Sequence, residues 1–495
     1  MRLKFKFRHM AASLAVILLV TIVGCAVGPN YKRPAAPTAT NYVAEPLKNV
    51  TGATNIAGGE DQRFVQSLDI AGKWWEVFHS EALDQLLVRA ITNNPDLKAA
   101  QAALLVAREN LKAQRGIYYP NISGSFAGSR QRQSGFISPT PNADIFEYNL
   151  FTPQVSVSYV PDVFGLNRRT VEVSKAQQEN ARFQMVATYL TLSANVVVAA
   201  IQEASLRAQI ETTRELVGIG SNMMEIVKFQ YTNGYASGLD LAAQQSQLAQ
   251  IAASLPPLMK QLAQQRDLLA VLAGDFPSDQ KGRDFDLSKL KLPRDLPVTL
   301  PATLVGQRPD ILQAEQNLHA ASAQIGISIA NRLPNITLSA NAGNTALSLD
   351  KLFNSGSGFW AVGGTLVQPI FQGGTLLHQE RAAKAAYIQA AQQYRSTVLT
   401  ACQNVADTLN ALEQDGDAVA SAAAADTAAR STLDISRQQL KVGYGGYLAL
   451  LNAEQTYQQA QLNLVQAQAN RFSDTAALFQ ALGGGWWNVA ELKEN

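Results

Sequence analysis

The 495 residues hold 41 Lys and Arg against 39 Asp and Glu, a formal charge of +2, which leaves no electrostatic footprint for nucleic acid. Two cysteines, Cys25 and Cys402, are too few for a disulfide framework, and the four scattered histidines (His9, His79, His319, His378) form no metal-ligand cluster. Length alone fits one large core or several.

At the N-terminus a basic stretch (Arg2, Lys4, Lys6, Arg8) precedes an apolar run from Leu14 to Val23, too short for a spanning helix, so residues 1–24 read as a signal peptide. Its removal takes away four positive charges and leaves a mature charge of −2. The following "IVGC" resembles a bacterial lipobox, which implies acylation of Cys25; an ordinary cleavage site that contains Cys is the alternative. Ala26 rather than Asp at the next position implies, within that resemblance, sorting to the outer membrane. Residues 25–71, rich in Pro, Ala, Thr, Asn and Gly, read as a lipidated, extended tether. Cys402, within "VLTACQNVADTL", reads as a small packed hydrophobe.

From "GKWWEVFHSEALDQLL" onward the chain repeats itself. Pro95-Asp96 and Pro309-Asp310, and likewise Pro120-Asn121-Ile122 and Pro334-Asn335-Ile336, stand 214 positions apart. "YTNGYASGLDL" and "LKVGYGGYLAL" align Gly234 with Gly443 at an offset of 209, and Gly274 with Gly483 keeps that offset. The segmentation is therefore a first repeat over 72–275, a linker over 276–301, a second repeat over 302–485 and a tail over 486–495.

Each repeat reads helix, strand, strand, long helix, reversal, helix. Period-two alternation marks the strands: Phe151, Val155, Val157 and Tyr159 against Thr152, Gln154, Ser156 and Ser158; Ile336, Leu338, Ala340 and Ala342 against Asn335, Thr337, Ser339 and Asn341; and Trp360, Val362, Gly364 and Leu366 on one face. Proline-free runs rich in Ala, Gln, Leu and Arg predict long helices over 170–231 and 375–441, about 93 and 100 Å at 1.5 Å per residue. Shorter helices over 88–116, 237–272, 302–333 and 448–482 sum in pairs to about the same length, so one long helix lies beside two short ones, twice per chain. Four strands cannot close a barrel, and an open edge in lipid leaves backbone groups that cost several kcal/mol each. Closure has to come from other copies.

These features, with "CAVGPNYKRP", "NNPDL", "YVPDVFG", "LPVTLPATLVGQRPDILQAEQNLHAA", "LVQPIFQGG" and "ALGGGWW" in order over 25–487, resemble the TolC-like outer-membrane factors of tripartite efflux systems, and among them the NodT-type lipoproteins. The resemblance implies a mixed α/β membrane protein: a trimeric, 12-stranded outer-membrane β-barrel, four strands per protomer, continued by a long α-helical periplasmic barrel. It implies a lipid-anchored, multi-pass location in the outer membrane. The implied partners are two further copies, a periplasmic adaptor and a proton-driven inner-membrane pump of the RND type. The expected function is a passive duct for small amphiphilic compounds. The alternatives are the outer channel of a type I protein secretion system and a pore-less periplasmic coiled-coil scaffold.

No enzyme signature emerges. "GISIA" at 326–330 lacks the final Gly of a nucleophile elbow, and "GYGGY" at 443–447 lacks the Lys-Ser/Thr of a phosphate loop, so no cofactor or nucleotide site is expected. The candidate site residues cluster at the two helix reversals: Gly234, Ser237, Gly238 and Asp240 at the first; Gly443, Tyr444, Gly445, Gly446, Tyr447 and Asn452 at the second. The glycines read equally as simple turns or as the periplasmic mouth of a duct. TolC-like channels often place aspartates just after the second reversal; here Ala449 and Asn452 stand there, with Asp240 and Glu454 the nearest acids. Whether an acidic, cation-binding ring exists is therefore open, and Tyr444 and Tyr447 read either as simple packing or as steric closure of the mouth, Tyr447 being the better placed to constrict it.

Overall fold

The computed structural model describes residues 26–50, 56–133, 146–279, 285–442, 444 and 446–493. The signal segment, Cys25, Gly443 and Gly445 lie outside the described residues. The strands are β1 (Arg63–Gln66), β2 (Asn121–Gln133), β3 (Phe146–Tyr159), β4 (Asp295–Val298), β5 (Asn335–Asn344) and β6 (Gly358–Val367). The main helices are α1 (Glu81–Asn93), α2 (Pro95–Arg115), α3 (Leu166–Thr232), α4 (Gly238–Ala253), α5 (Leu255–Leu272), α6 (Pro309–Ala330), α7 (Thr375–Lys441) and α8 (Tyr447–Ala481). Backbone contacts divide the chain into two units: one of residues up to 33 with 105–180 and 314–394, the other of 34–104, 181–313 and 395–495.

The first unit contains a four-stranded antiparallel sheet in the order β2-β3-β5-β6. Its register stacks the apolar residues of every strand on one face. Ile122 stands opposite Val157, Phe126 opposite Pro153, Val157 opposite Ala340 and Ala342 opposite Trp360. The other face pairs Ser125 with Gln154, Ser156 with Asn341 and Thr337 with Thr365. A one-residue slip would turn each apolar set over, so this alternation fixes the register. From Phe151 to Tyr159 the apolar face runs about 27 Å at ~3.4 Å per residue. That is the scale of the ~25 Å apolar band of a membrane barrel. Gly343 is required by a close approach: a Cβ there would collide with the Pro153 carbonyl. The outer edges of β2 and β6 have no strand partner among the described residues.

In the second unit, three segments outside the two repeats also hold packed structure. Residues 25–71 are more than a tether, because β1 pairs in parallel with β4, and Val50 and Ile70 are buried. The guanidinium of fully buried Arg471 donates to Gly58 O (2.7 Å), Glu60 O (2.6 Å) and Gln62 Oε1 (3.3 Å). The 276–301 linker contributes β4 itself. The 486–495 tail begins as a packed element: Trp486 is buried and its Nε1 donates to Gln307 O at 2.6 Å. The aromatic anchors are core residues, with Trp74 stacked on Phe479 at 5.6 Å and Phe78 against Phe472 at 6.2 Å.

The two long helices are continuous over 67 residues each. The most apolar stretch of α3 reaches the hydropathy of a membrane span, yet 67% of it is buried inside the protein, so packing uses that apolarity. Three of the shorter helices differ from expectation. The helix expected over 88–116 is broken at Asn94, whose Oδ1 caps α2 by accepting from Asp96 N (2.9 Å) and Leu97 N (3.1 Å). The one expected over 237–272 breaks at Ser254, and the one over 302–333 begins anew at Pro309. In each case proline enters at or next to the first turn, where its missing N–H is tolerated and its ring forbids a continuous ladder.

Between α7 and α8 of this unit, Asp415 meets Asp474 beside Arg471. Burial first, then the Asp474 carboxyl, push the pKa of Asp415 up to about 7, against a pull down from Arg471. The unfolded chain titrates such a carboxyl near ~3.9. The protonated pair therefore contributes stability that is complete at acid pH and is lost as pH rises through about 7. Thermal melting in detergent should give a midpoint a few degrees lower at pH 8 than at pH 6, and Asp415→Asn should remove the difference.

Candidate functional site

The first reversal, between α3 and α4, is set by backbone capping. Gly234 has φ +77°, Tyr235 N donates to Gln230 O (2.8 Å) and Gly234 N to Tyr231 O (3.1 Å), the paired bonds of a left-handed helix end. Nothing lies within 4 Å of the place a Cβ would occupy at Gly234, so the positive φ alone demands glycine. Ser237 then caps α4. Its Oγ accepts from Asp240 N (3.1 Å), while Asp240 Oδ2 accepts from Ser237 N (3.0 Å) and Ser237 Oγ (2.7 Å). This reciprocal pair satisfies backbone donors that the helix leaves open. Gly238, the first residue of α4, lies beside the Tyr231 ring.

The second reversal, between α7 and α8, repeats the first with one loss. Tyr444 N donates to Gln439 O at 2.9 Å, matching Tyr235 and Gln230 at the 209 offset. Gly446 occupies the cap position equivalent to Ser237, has no side chain to offer, and Ala449 replaces Asp240. Ser237 and Asp240 therefore work as a cap, a role that their Ser-x-x-Asp spacing signals. Asn452 is exposed on α8, and its backbone carbonyl accepts from Thr456 Oγ1.

Beneath the reversals α3, α4, α7 and α8 share one core, with Leu216, Val227, Ile251, Leu433 and Leu450 buried and Tyr447 packed against them. Tyr444, by contrast, points into solvent. Burial and then the charge of Asp240 raise the pKa of the Tyr447 hydroxyl, so the structure brings these two predicted residues near each other across the reversals. The same core encloses a polar group. Glu454 and Gln244 are each 1% exposed, and both Glu454 oxygens, Gln244 Oε1 and Arg437 Nη2 are buried without a hydrogen-bond partner. Burial raises the Glu454 pKa, against pulls from Arg437 and Gln244. The helical period could have placed Glu454 inside, since Leu450, Glu454, Tyr457 and Gln461 fall on one stripe of α8. Gln244 and Arg437 carry no comparable signal.

Both reversals also present repeat-related apolar side chains to solvent: Tyr235 and Leu239 at the first, Tyr444 and Leu448 at the second, between 71% and 91% exposed.

The family model for outer membrane efflux proteins matches this chain over residues 86–275 and 300–484. The toluene efflux pump outer membrane protein TtgF of Pseudomonas putida is 29% identical over 96% of this chain and 97% of its own length. The solved outer-membrane channel OprN superposes with a TM-score of 0.84 at 24% identity, over 93% of this chain and 100% of its own. The outer membrane protein VceC of Vibrio cholerae gives a TM-score of 0.77 at 28% identity, over 85% of this chain and 100% of its own.

Because Tyr447 is packed whereas Asp240 acts through a cap, the two are expected to differ in effect. Truncating a fully buried aromatic costs ~3–5 kcal/mol, and partly buried Tyr447 should lose enough to pass 1.4 kcal/mol. Asp240→Asn keeps an acceptor oxygen and should cost under ~1 kcal/mol. Amide hydrogen exchange should therefore quicken at least tenfold along 447–460 in Tyr447→Ala and less than fivefold in Asp240→Asn.

Proposed function

The chain belongs to the outer membrane efflux protein family, and from that premise we propose that three copies enclose one passive duct through which an efflux pump discharges small amphiphilic compounds. It is an outer-membrane channel component of an efflux pump, with the fold of TolC-like channels. The observation that carries the proposal is the sheet: four strands, apolar on one face, polar on the other, and without a strand partner at either outer edge among the described residues. Three such sheets make twelve strands, an even number with apolar side chains outward and hydroxyls and amides lining the interior. A relative that exports toluene supports small apolar cargo.

The remaining assignments follow the same reading. The two reversals form the periplasmic mouth, and the exposed Tyr235, Leu239, Tyr444 and Leu448 offer a periplasmic adaptor equivalent apolar contacts in both repeats. Energy comes from a proton-driven inner-membrane pump of the RND type. Closure rests on packing around Tyr447, since the second reversal carries Ala449 and Asn452. The chain is a NodT-type lipoprotein acylated at Cys25. In support, residues 26–33 are held firmly within the unit that contains the sheet. Val27 N donates to Phe164 O (3.0 Å), Arg169 donates to Val27 O and Asn30 Oδ1, Tyr31 stacks on His319 at 4.3 Å, and Arg33 pairs with Glu315 at 2.9 Å. Phe164 lies five residues beyond the end of β3, so the chain after Cys25 starts beside a strand-to-helix junction.

The full-length protein reconstituted in planar bilayers should conduct as discrete single channels; a pore-less scaffold gives no conductance. Metabolic labelling with palmitate should mark the wild type and not Cys25→Ser, whose channels should still conduct, since the strands supply their own apolar band. Labelling that persists in Cys25→Ser would remove Cys25 as the acylated residue.

A further inference from the structure

The apolar face of β2 and β3 ends in charge. Ile122, Gly124, Phe126 and Gly128 alternate along this face of β2, and the next two residues on it are Arg130 and Arg132, opposite Asn149 and Glu147 of β3. Phe126 and Phe151 stack there at 6.4 Å, and Arg130 follows Phe126 by four residues, about 13 Å along the strand. Cationic side chains are costly within hydrocarbon, so the two arginines mark where hydrocarbon ends. They lie at the hairpin end of the strands, away from the junctions with α2 and α3.

One carboxylate serves both guanidinium groups. Arg130 Nη2 donates to Glu147 Oε2 (3.3 Å), and Arg132 Nη1 stands 3.7 Å from Glu147 Oε1. Each guanidinium has five N–H donors, most of them without a partner among the described residues, and the trio keeps one net positive charge. The arginines are 76% and 64% exposed, held side by side by Glu147. On the opposite, polar face Tyr148 and Gln131 bond to each other at 3.0 Å, so the charged trio faces away from the polar lining. Paired guanidinium forks at the rim of a lipid-facing surface match phosphate oxygens, which they bind in bidentate fashion.

We propose that Arg130 and Arg132 bind the phosphate groups of the glycolipid in the outer leaflet of the outer membrane. This rests on the reading of the sheet as a membrane barrel with its β2–β3 hairpin outward.

The test uses the full-length protein purified from outer membranes in mild detergent, stripped of lipid and titrated with bisphosphorylated lipid A, with phosphatidylethanolamine as the control. Native mass spectrometry counts bound lipid. The double variant Arg130→Gln/Arg132→Gln should retain lipid A at least fivefold less than wild type, with phosphatidylethanolamine unaffected. Glu147→Gln decides between a site and a mere surface ion pair: a phosphate site gains net charge and should hold lipid A as tightly or more tightly, whereas a fall to the level of the double variant overturns the proposal. Wild-type retention of lipid A by a double variant that still conducts in planar bilayers also overturns it. A wild type that gives no conductance would instead remove the barrel reading on which the site rests.

Discussion

Backbone N–H and C=O groups along a strand edge have to be paired wherever water is absent, and much of this protein's design follows from that requirement. β3 and β5 each have a strand neighbour on both sides, meeting each other over Gln154–Tyr159, whereas β2 and β6 each have one among the described residues. In hydrocarbon the remaining edges would cost several kcal/mol per group, far more than the ~5–15 kcal/mol of net stability a folded chain has to spare. The remedy consistent with identical chains is head-to-tail pairing, β2 of one copy on β6 of the next, repeated until the ring closes. The proposed ring would meet lipid with its aligned apolar faces. Its polar faces give the enclosed space hydroxyls and amides.

The family model matches both halves of the chain, and the halves differ where their long helices reverse. Both long helices end with the same left-handed backbone signature, Gln230 to Tyr235 and Gln439 to Tyr444. Only the first reversal kept a side-chain cap, in Ser237 and Asp240. The second has Gly446 and Ala449, so α8 starts with open backbone donors and relies on Tyr447 and Leu450 packing into the shared core. A buried Glu454 without a hydrogen-bond partner weakens that core from within. The second reversal thus lacks the side-chain cap that secures the first.

What could be read from the sequence was whatever short-range pattern specifies. Alternation in "FTPQVSVSYV" and "NITLSANAG" placed the strands and their faces, because period two is a local property. Repeated Pro-Asn-Ile and Gly-Tyr landmarks aligned the two halves, and Gly234 announced its reversal because only glycine takes that φ cheaply. Contacts distant in sequence stayed hidden. Arg471 reads as one more helix-surface charge, yet it lies 409 residues from Gln62 and holds the segment 58–62 in place. A separation of 232 residues likewise concealed the β1–β4 pairing, and Arg63–Gln66 and Asp295–Val298 are each too short to show alternation. The breaks at Asn94 and Ser254 were written in the prolines that follow them, but length matching between helices favoured unbroken rods. Asp240 stands in the sequence as one of the acids nearest the reversals, and Ser237 three residues earlier completes the spacing of a capping box.

The central claim, that the open edges of one chain are closed by copies of itself, is tested most directly by weighing the species that lipid releases. Channels reconstituted in lipid nanodiscs, shown to conduct and then analysed by native mass spectrometry, should yield a dominant mass of three chains and no inserted single chain. A conducting, lipid-embedded species with the mass of one chain would contradict the account, because it would mean that β2 and β6 find their partners within a single copy.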